Sequence, residues 1–122
     1  MWGVTLTSPS NRRYARSMAE KSWGDLIREQ APDLDEQNKA DLEYLGRSTA
    51  LGAREKYLIA LVLDAAANKP AGARSYGEKA VQAGASKEQI LDALRILRMF
   101  AGRPGLVTGC EALRQFERHQ TP

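Results

Sequence analysis

The heptapeptide Tyr57-Leu58-Ile59-Ala60-Leu61-Val62-Leu63 is apolar throughout, inside a stretch from Ala53 to Asn68 that reads as the strongest helix of the chain. A helix without a polar face is buried on most of its sides. This stretch is too short to span a bilayer, which takes about 20 residues, and too long for an ordinary strand. It is therefore expected at the centre of a helical domain, or between subunits.

The flanking sequence supplies the start and stop signals of further helices. Ser8-Pro9-Ser10 reads as an extended lead-in, and Ser10 or Asn11 is placed to cap a first helix running to about Gln30, with Tyr14, Met18, Trp23, Leu26 and Ile27 on its apolar side. Ala31-Pro32-Asp33 ends it, because proline disfavours helix in the residue before it. Asp33 or Asp35 caps a second helix through about Ser48, with Leu42, Tyr44 and Leu45 as its contacts. Beyond the central helix, Pro70 suits a first helical position. From there Ala73, Tyr76, Gly77, Ala80, Val81 and Gly84 recur at helical spacing. Most are tiny, so another helix can approach closely, and Gly84 suits the left-handed residue that ends a helix. Ser86-Lys87-Glu88-Gln89 is a capping box. It opens a helix with Ile90, Leu91, Leu94, Leu97, Met99 and Phe100 on its apolar side and Lys87, Asp92, Arg95 and Arg98 outward. Ala101-Gly102-Arg103-Pro104-Gly105 breaks that helix, and Leu106 or Val107 begins a last one through Phe116. No segment reads as a strand. The expectation is an all-α fold, a compact bundle of about six helices in one domain over residues 1–122.

Composition removes several classes of function. The 18 basic residues are interspersed with 15 acidic ones for a net charge of +3, without the concentrated basic stripe of a nucleic-acid binder. One cysteine, Cys110, forms no internal disulfide and is expected as a small buried filler. One histidine, His119, stands in the tail, and no cluster of metal-ligating residues accompanies it. The first residues lack the pattern of a signal peptide and no stretch is long enough to span a membrane, so a cytoplasmic location is expected.

Three landmarks occur in order. They are Ala50-Leu51-Gly52-Ala53-Arg54-Glu55-Lys56-Tyr57-Leu58-Ile59-Ala60-Leu61, then Ala80-Val81-Gln82-Ala83-Gly84-Ala85-Ser86-Lys87-Glu88-Gln89-Ile90, then Ala101-Gly102-Arg103-Pro104-Gly105. Over about residues 50–113 the chain thereby resembles the carboxymuconolactone decarboxylase and alkylhydroperoxidase D-like family, with residues 10–48 as a helical extension. The resemblance implies an alkylhydroperoxidase D-like helical fold and a homo-oligomer, a trimer or hexamer. In redox-active members, a Cys-x-x-Cys pair begins the helix after the central one, a histidine follows four residues after the second cysteine, and a glutamate lies about twelve residues before the first. One thiolate attacks, the other resolves, and the histidine and glutamate move protons. Counting back from Gly84, these positions fall on Lys69 and Gly72, on Tyr76 and on Tyr57. All four have changed, so a peroxidase working through such a pair is excluded. The histidine that the decarboxylase branch retains in this helix is missing too.

The polar residues around the inherited position are the candidates. Tyr76 is read either as a core tyrosine or as a proton donor to substrate. Tyr57, Leu61, Asp64 and Asn68 share one face of the central helix. A buried Asp64 needs a partner, for which Arg74 or Lys69 is expected, and it serves as a structural ion pair or as a pocket acid. Arg74 pairs with Glu78 four residues on, or it grips an anionic substrate. Catalytic Tyr76, Asp64 and Tyr57, with Arg74 and Lys69 binding substrate, make up the expected site, without metal or cofactor.

Two functions compete. One is decarboxylase-like acid–base chemistry (decarboxylation, isomerisation, lactone opening or cyclisation) on a small organic molecule, anionic or cyclic. The other is a non-catalytic oligomeric binding or structural protein that keeps the fold, with a closed or purely apolar pocket. A nucleic-acid or regulatory partner is the weakest of the readings, and no membrane partner is expected.

Overall fold

The structure is a computed structural model that describes residues 20–117. Among these residues are five α-helices, a closing 3-10 helix and no strand: α1 (Trp23–Gln30), α2 (Pro32–Gly46), α3 (Ala53–Ala66), α4 (Pro70–Gln82), α5 (Lys87–Gly109) and the 3-10 turn Cys110–Phe116. The all-α expectation holds, with one α-helix fewer than expected. The chain divides into two compact units, Met1–Asp41 and Leu42–Pro122.

In the first unit, residues 10–19 of the expected first helix, with Tyr14 and Met18, lie outside the described residues, as does His119. Residues 20–22 are not helical, so the expected uninterrupted helix from Ser10 to Gln30 does not form. Ser22 is extended and its hydroxyl accepts from the Asp25 N–H at 3.2 Å, which starts α1 at Trp23. The next helix begins at Pro32 itself rather than at an aspartate cap, since a proline at the first helical position loses no hydrogen bond. Asp33 and Asp35 fall inside its first turn, where their charge favours the helix N-terminus.

In the second unit, each helix end has a local cause. Asn68 adopts a left-handed φ of 59° after α3, and the Lys69 N–H donates back to the Asp64 carbonyl at 2.9 Å. Gly84 does the same after α4, at φ 108°, with Ala85 N–H donating to the Ala80 carbonyl at 2.9 Å and Gly84 N–H to Val81 at 3.0 Å. Both are the Schellman arrangement. Pro70 opens α4 and the Ser86–Gln89 capping box opens α5, its two reciprocal bonds at 3.0 and 3.1 Å. Gly102, at φ 69°, kinks α5 as expected. The chain is helical again directly after Gly102, earlier than Leu106, and Pro104 falls in the new first turn, where proline is tolerated.

The core is Leu61 and Ala65 from α3, Ala73 and Ala80 from α4, Ala85, Ile90, Leu94 and Leu97 from α5, and Ala112. The small-residue stripe of α4 is consumed inside the chain: Ala73, Gly77 and Ala80 are buried, and Gly77 lies against Ala112 of the 3-10 turn. The close approach that its composition suggests is thus made within one chain. The central helix is not enclosed either. Leu61 and Ala65 are buried, but Ile59 and Leu63 are exposed. On α5, Met99 and Phe100 point outward, in contrast to the expectation that they join the core. Cys110 is exposed rather than a buried filler.

One buried charge stands out. Lys56 is 4% exposed, and its Nζ donates to the carbonyls of Tyr44 at 3.0 Å and Arg47 at 2.8 Å. It also lies 3.5 Å from the centre of the Tyr44 ring. The last turn of α2 has no basic residue of its own, so Lys56 brings a cation to that helix end. Replacing Lys56 with methionine, which keeps the volume and leaves both carbonyls without this donor, is expected to cost about 1–3 kcal/mol of stability, seen as a lower urea midpoint.

Candidate functional site

The site is built from facing positions on α3 and α4. Tyr57, Leu61 and Asp64 recur on one side of α3. Leu61 is buried in the core, and Tyr57 and Asp64 flank it, each half-buried. From α4, Tyr76 meets Tyr57 with ring centroids 6.2 Å apart and planes 25° from parallel. This is an offset stack of the kind aromatic quadrupoles favour.

The Asp64 carboxylate lies directly on Gly72. A methyl group there would run into its oxygen and stand 2.8 Å from its carboxyl carbon. The absence of a side chain at position 72 is thus what makes room for the acid. No salt bridge or side-chain hydrogen bond engages Asp64 among the described residues. The expected pairing with Arg74 or Lys69 is not formed. Arg74 is exposed, and Lys69 is exposed at the N-cap of α4. Residues two apart on a helix point away from one another, so Arg74 turns from the surface that carries Tyr76. Arg74 forms no ion pair with Glu78 among the described residues either. A cation that the sequence reading missed lies over the pair: Lys79 Nζ is 5.3 Å from the centre of the Tyr76 ring. Its signal was the three-residue spacing from Tyr76. Tyr57 is likewise held by a glycine, since a methyl at Gly46 would sit 2.8 Å from its hydroxyl.

Burial of the Tyr76 ring, then the negative charge of Asp64, then Tyr57, push the Tyr76 hydroxyl above the usual tyrosine value of 10.0. Tyr76 therefore holds its proton at neutral pH and is a donor, not a base. A phenol harder to ionise in the folded chain than in the unfolded one adds stability below pH 10, and that stability is lost as pH rises through the folded value. Tyr76→Phe is expected to flatten the loss of stability above about pH 10, measured by urea unfolding at stepped pH, relative to the parent.

The structure also contains an apolar groove of about 550 Å³ between α3 and α5, with Leu58, Val62, Ala93 and Ile96 in its lining. None of Tyr57, Asp64, Lys69, Arg74 or Tyr76 lines it.

The stacked pair and the acid lie within the stretch that the sequence landmarks cover, and a family profile covers the same region. The profile of the Carboxymuconolactone decarboxylase family matches residues 32–115. The chain belongs to that family. The match starts at Pro32, so this decarboxylase-family region takes in α2 as well as the helices that the three landmarks cover. No curated protein and no solved structure matches the chain significantly. Among the described residues of this family member, no helix is long and apolar enough to cross a membrane.

Proposed function

We propose that this member of the decarboxylase family is an acid–base enzyme without redox cysteines, acting on a small organic molecule, anionic or cyclic. Asp64 accepts a proton from the substrate, and the Tyr76 hydroxyl donates a hydrogen bond to the oxygen on which negative charge develops. Tyr57 forms the aromatic wall behind Tyr76. Decarboxylation, isomerisation and lactone opening all use such a pair. The observation that carries this reading is the Asp64 carboxylate, seated on Gly72 without an ionic partner among the described residues and close enough to Tyr76 to raise its hydroxyl. A carboxylate and a protonated phenol held side by side are a base and a donor of different strength. Arg74 and Lys69 do not converge on this pair, so an anionic substrate is steered by Lys79 instead.

The test is a panel of small lactones and unsaturated or keto carboxylic acids, followed by product analysis with the parent chain, Asp64→Asn and Tyr76→Phe. Turnover that is lost in both variants supports the assignment. Turnover unchanged in both dismisses it.

A second reading is a non-catalytic oligomeric binding protein that keeps the family fold. The apolar groove between α3 and α5 favours it, because that groove is separate from every candidate catalytic residue. Absence of turnover across the panel would favour this reading. In either case the protein is proposed to self-associate as a trimer or hexamer.

A further inference from the structure

Tyr57 is held from two sides, by Tyr76 of α4 and by the end of α2, and its neighbour Lys56 is bound to the same end. The Tyr57 hydroxyl lies against Gly46, where a methyl group would stand 2.8 Å from it. Lys56 Nζ donates to the carbonyls of Tyr44 at 3.0 Å and Arg47 at 2.8 Å, which flank Gly46 in the chain. Consecutive helical residues point about 100° apart, so one turn of α3 grips α2 with two side chains. All of these residues belong to the second unit.

Capping alone does not account for the burial of Lys56. A lysine is almost never fully buried unless a charge pairs with it, and a lysine at a helix end ordinarily keeps its ammonium in water. Lys56 is 4% exposed, and no carboxylate forms a salt bridge with it among the described residues. Taking an ammonium out of water is costly, and a solvated lysine would serve the same helix end. What burial adds is direction. Two hydrogen bonds and the Tyr44 ring, whose centre is 3.5 Å from Nζ, fix the ammonium and with it the end of α2.

We propose that Lys56 is a positioning residue of the α3–α4 site: by holding the end of α2 it holds Tyr57, and through Tyr57 the ring and hydroxyl of Tyr76. This role rests on the reading of Tyr76 as the hydrogen-bond donor. Burial is the main cause that keeps the Tyr76 hydroxyl protonated above the usual range, and the stacked Tyr57 ring is part of what covers it. A displaced Tyr57 is therefore read out in the ionisation of Tyr76, with no substrate present.

The test compares Lys56→Met and Gly46→Ala, both in a Tyr44→Phe background, because the Tyr44 ring itself lies on Lys56. Tyrosinate absorbance followed through alkaline pH gives the Tyr76 step, identified by its disappearance in Tyr76→Phe. Near-ultraviolet circular dichroism reports the packing of the tyrosine rings, and the far-ultraviolet signal checks that the helices are retained. In Lys56→Met the Tyr76 step is expected to move down toward the ordinary 10.0, with a weaker near-ultraviolet band. The direction discriminates, since loss of a positive charge alone makes a phenol harder to ionise and would move the step up. Gly46→Ala leaves Lys56 and its two carbonyls in place, and alanine is the better helix former. Its band is expected to change while its urea midpoint holds or rises. Where the substrate panel yields turnover, Lys56→Met is expected to lower kcat roughly 10- to 100-fold with KM little changed, because the Tyr76 hydrogen bond acts on the developing charge. An unmoved Tyr76 step in folded Lys56→Met, a step that moves up, or a band unchanged by Gly46→Ala would overturn the positioning role, whether or not the chain turns over any acid or lactone. A Lys56→Met chain that does not fold would overturn it as well, since Lys56 then holds the unit rather than the site. Absence of turnover with both spectroscopic changes present would overturn the acid–base reading and leave the coupling of Lys56 to Tyr76 standing.

Discussion

Asp64→Asn is expected to lower turnover of whichever acid or lactone the parent chain processes by about 100- to 10,000-fold, the range contributed by a positioned general base. Asparagine keeps the shape of the side chain and its seat on Gly72, and it cannot take up a proton at neutral pH. Asp64 has no ionic partner among the described residues, so the change orphans no buried cation, and its effect on stability is expected to stay within about 1 kcal/mol. That separates the catalytic from the structural role. If Asp64 serves only to hold the fold, the variant melts earlier and turns over at the parental rate. Gly72→Ala gives an independent view of the same residue. Alanine is the better helix former by roughly 1 kcal/mol, yet its methyl group displaces the Asp64 carboxylate. Turnover should therefore fall while thermal stability holds or rises, a combination that a general loss of folding cannot produce.

How far the sequence led depended on how local the determining physics was. Pro70, Gly84, the Ser86–Gln89 box and the Gly102 break were all legible, because each is fixed by a backbone dihedral or a hydrogen bond a few residues away. That Tyr57 and Asp64 share a face of α3 followed from helical spacing, and the meeting of Tyr57 with Tyr76 followed from the register set by Gly84. Burial was less legible. Lys56 looked like any lysine beside an apolar run, and only the approach of the α2 C-terminus makes it a buried cap. Met99 and Phe100 continue the apolar pattern of α5, but the core is already filled by Leu94 and Leu97. Arg74 was chosen for its charge, although its two-residue offset from Tyr76 turns it to another side of α4. The start of α1 at Trp23 was missed because Ser10 and Ser22 are equally good caps in isolation.

Gly77→Val is expected to destabilise the second unit by about 3 kcal/mol or more, a large part of the stability of a small domain. The reason is the close approach of α4 to the 3-10 turn. A first side-chain carbon at position 77 would stand 2.5 Å from the Ala112 methyl and 3.1 Å from the Ala112 backbone. A methyl group on a short side chain cannot swing aside, so the 3-10 turn Cys110–Phe116 must move as a body. Gly77 is buried, so the added carbons find no solvent to turn toward. Alanine at this position sets two effects of opposite sign against each other. It gains about 1 kcal/mol of helix propensity in α4 and incurs about 1–3 kcal/mol of overpacking, so Gly77→Ala is expected to be destabilising by a smaller margin. The decisive comparison is the double variant Gly77→Ala, Ala112→Gly, which moves the methyl group from one side of the contact to the other. Its stability should recover beyond the sum of the two single changes by about 1 kcal/mol or more, because residues in direct contact couple. Additive urea midpoints in that cycle would mean that the 3-10 turn does not rest on α4 through this pair, and the small-residue stripe would then need another reason to be there.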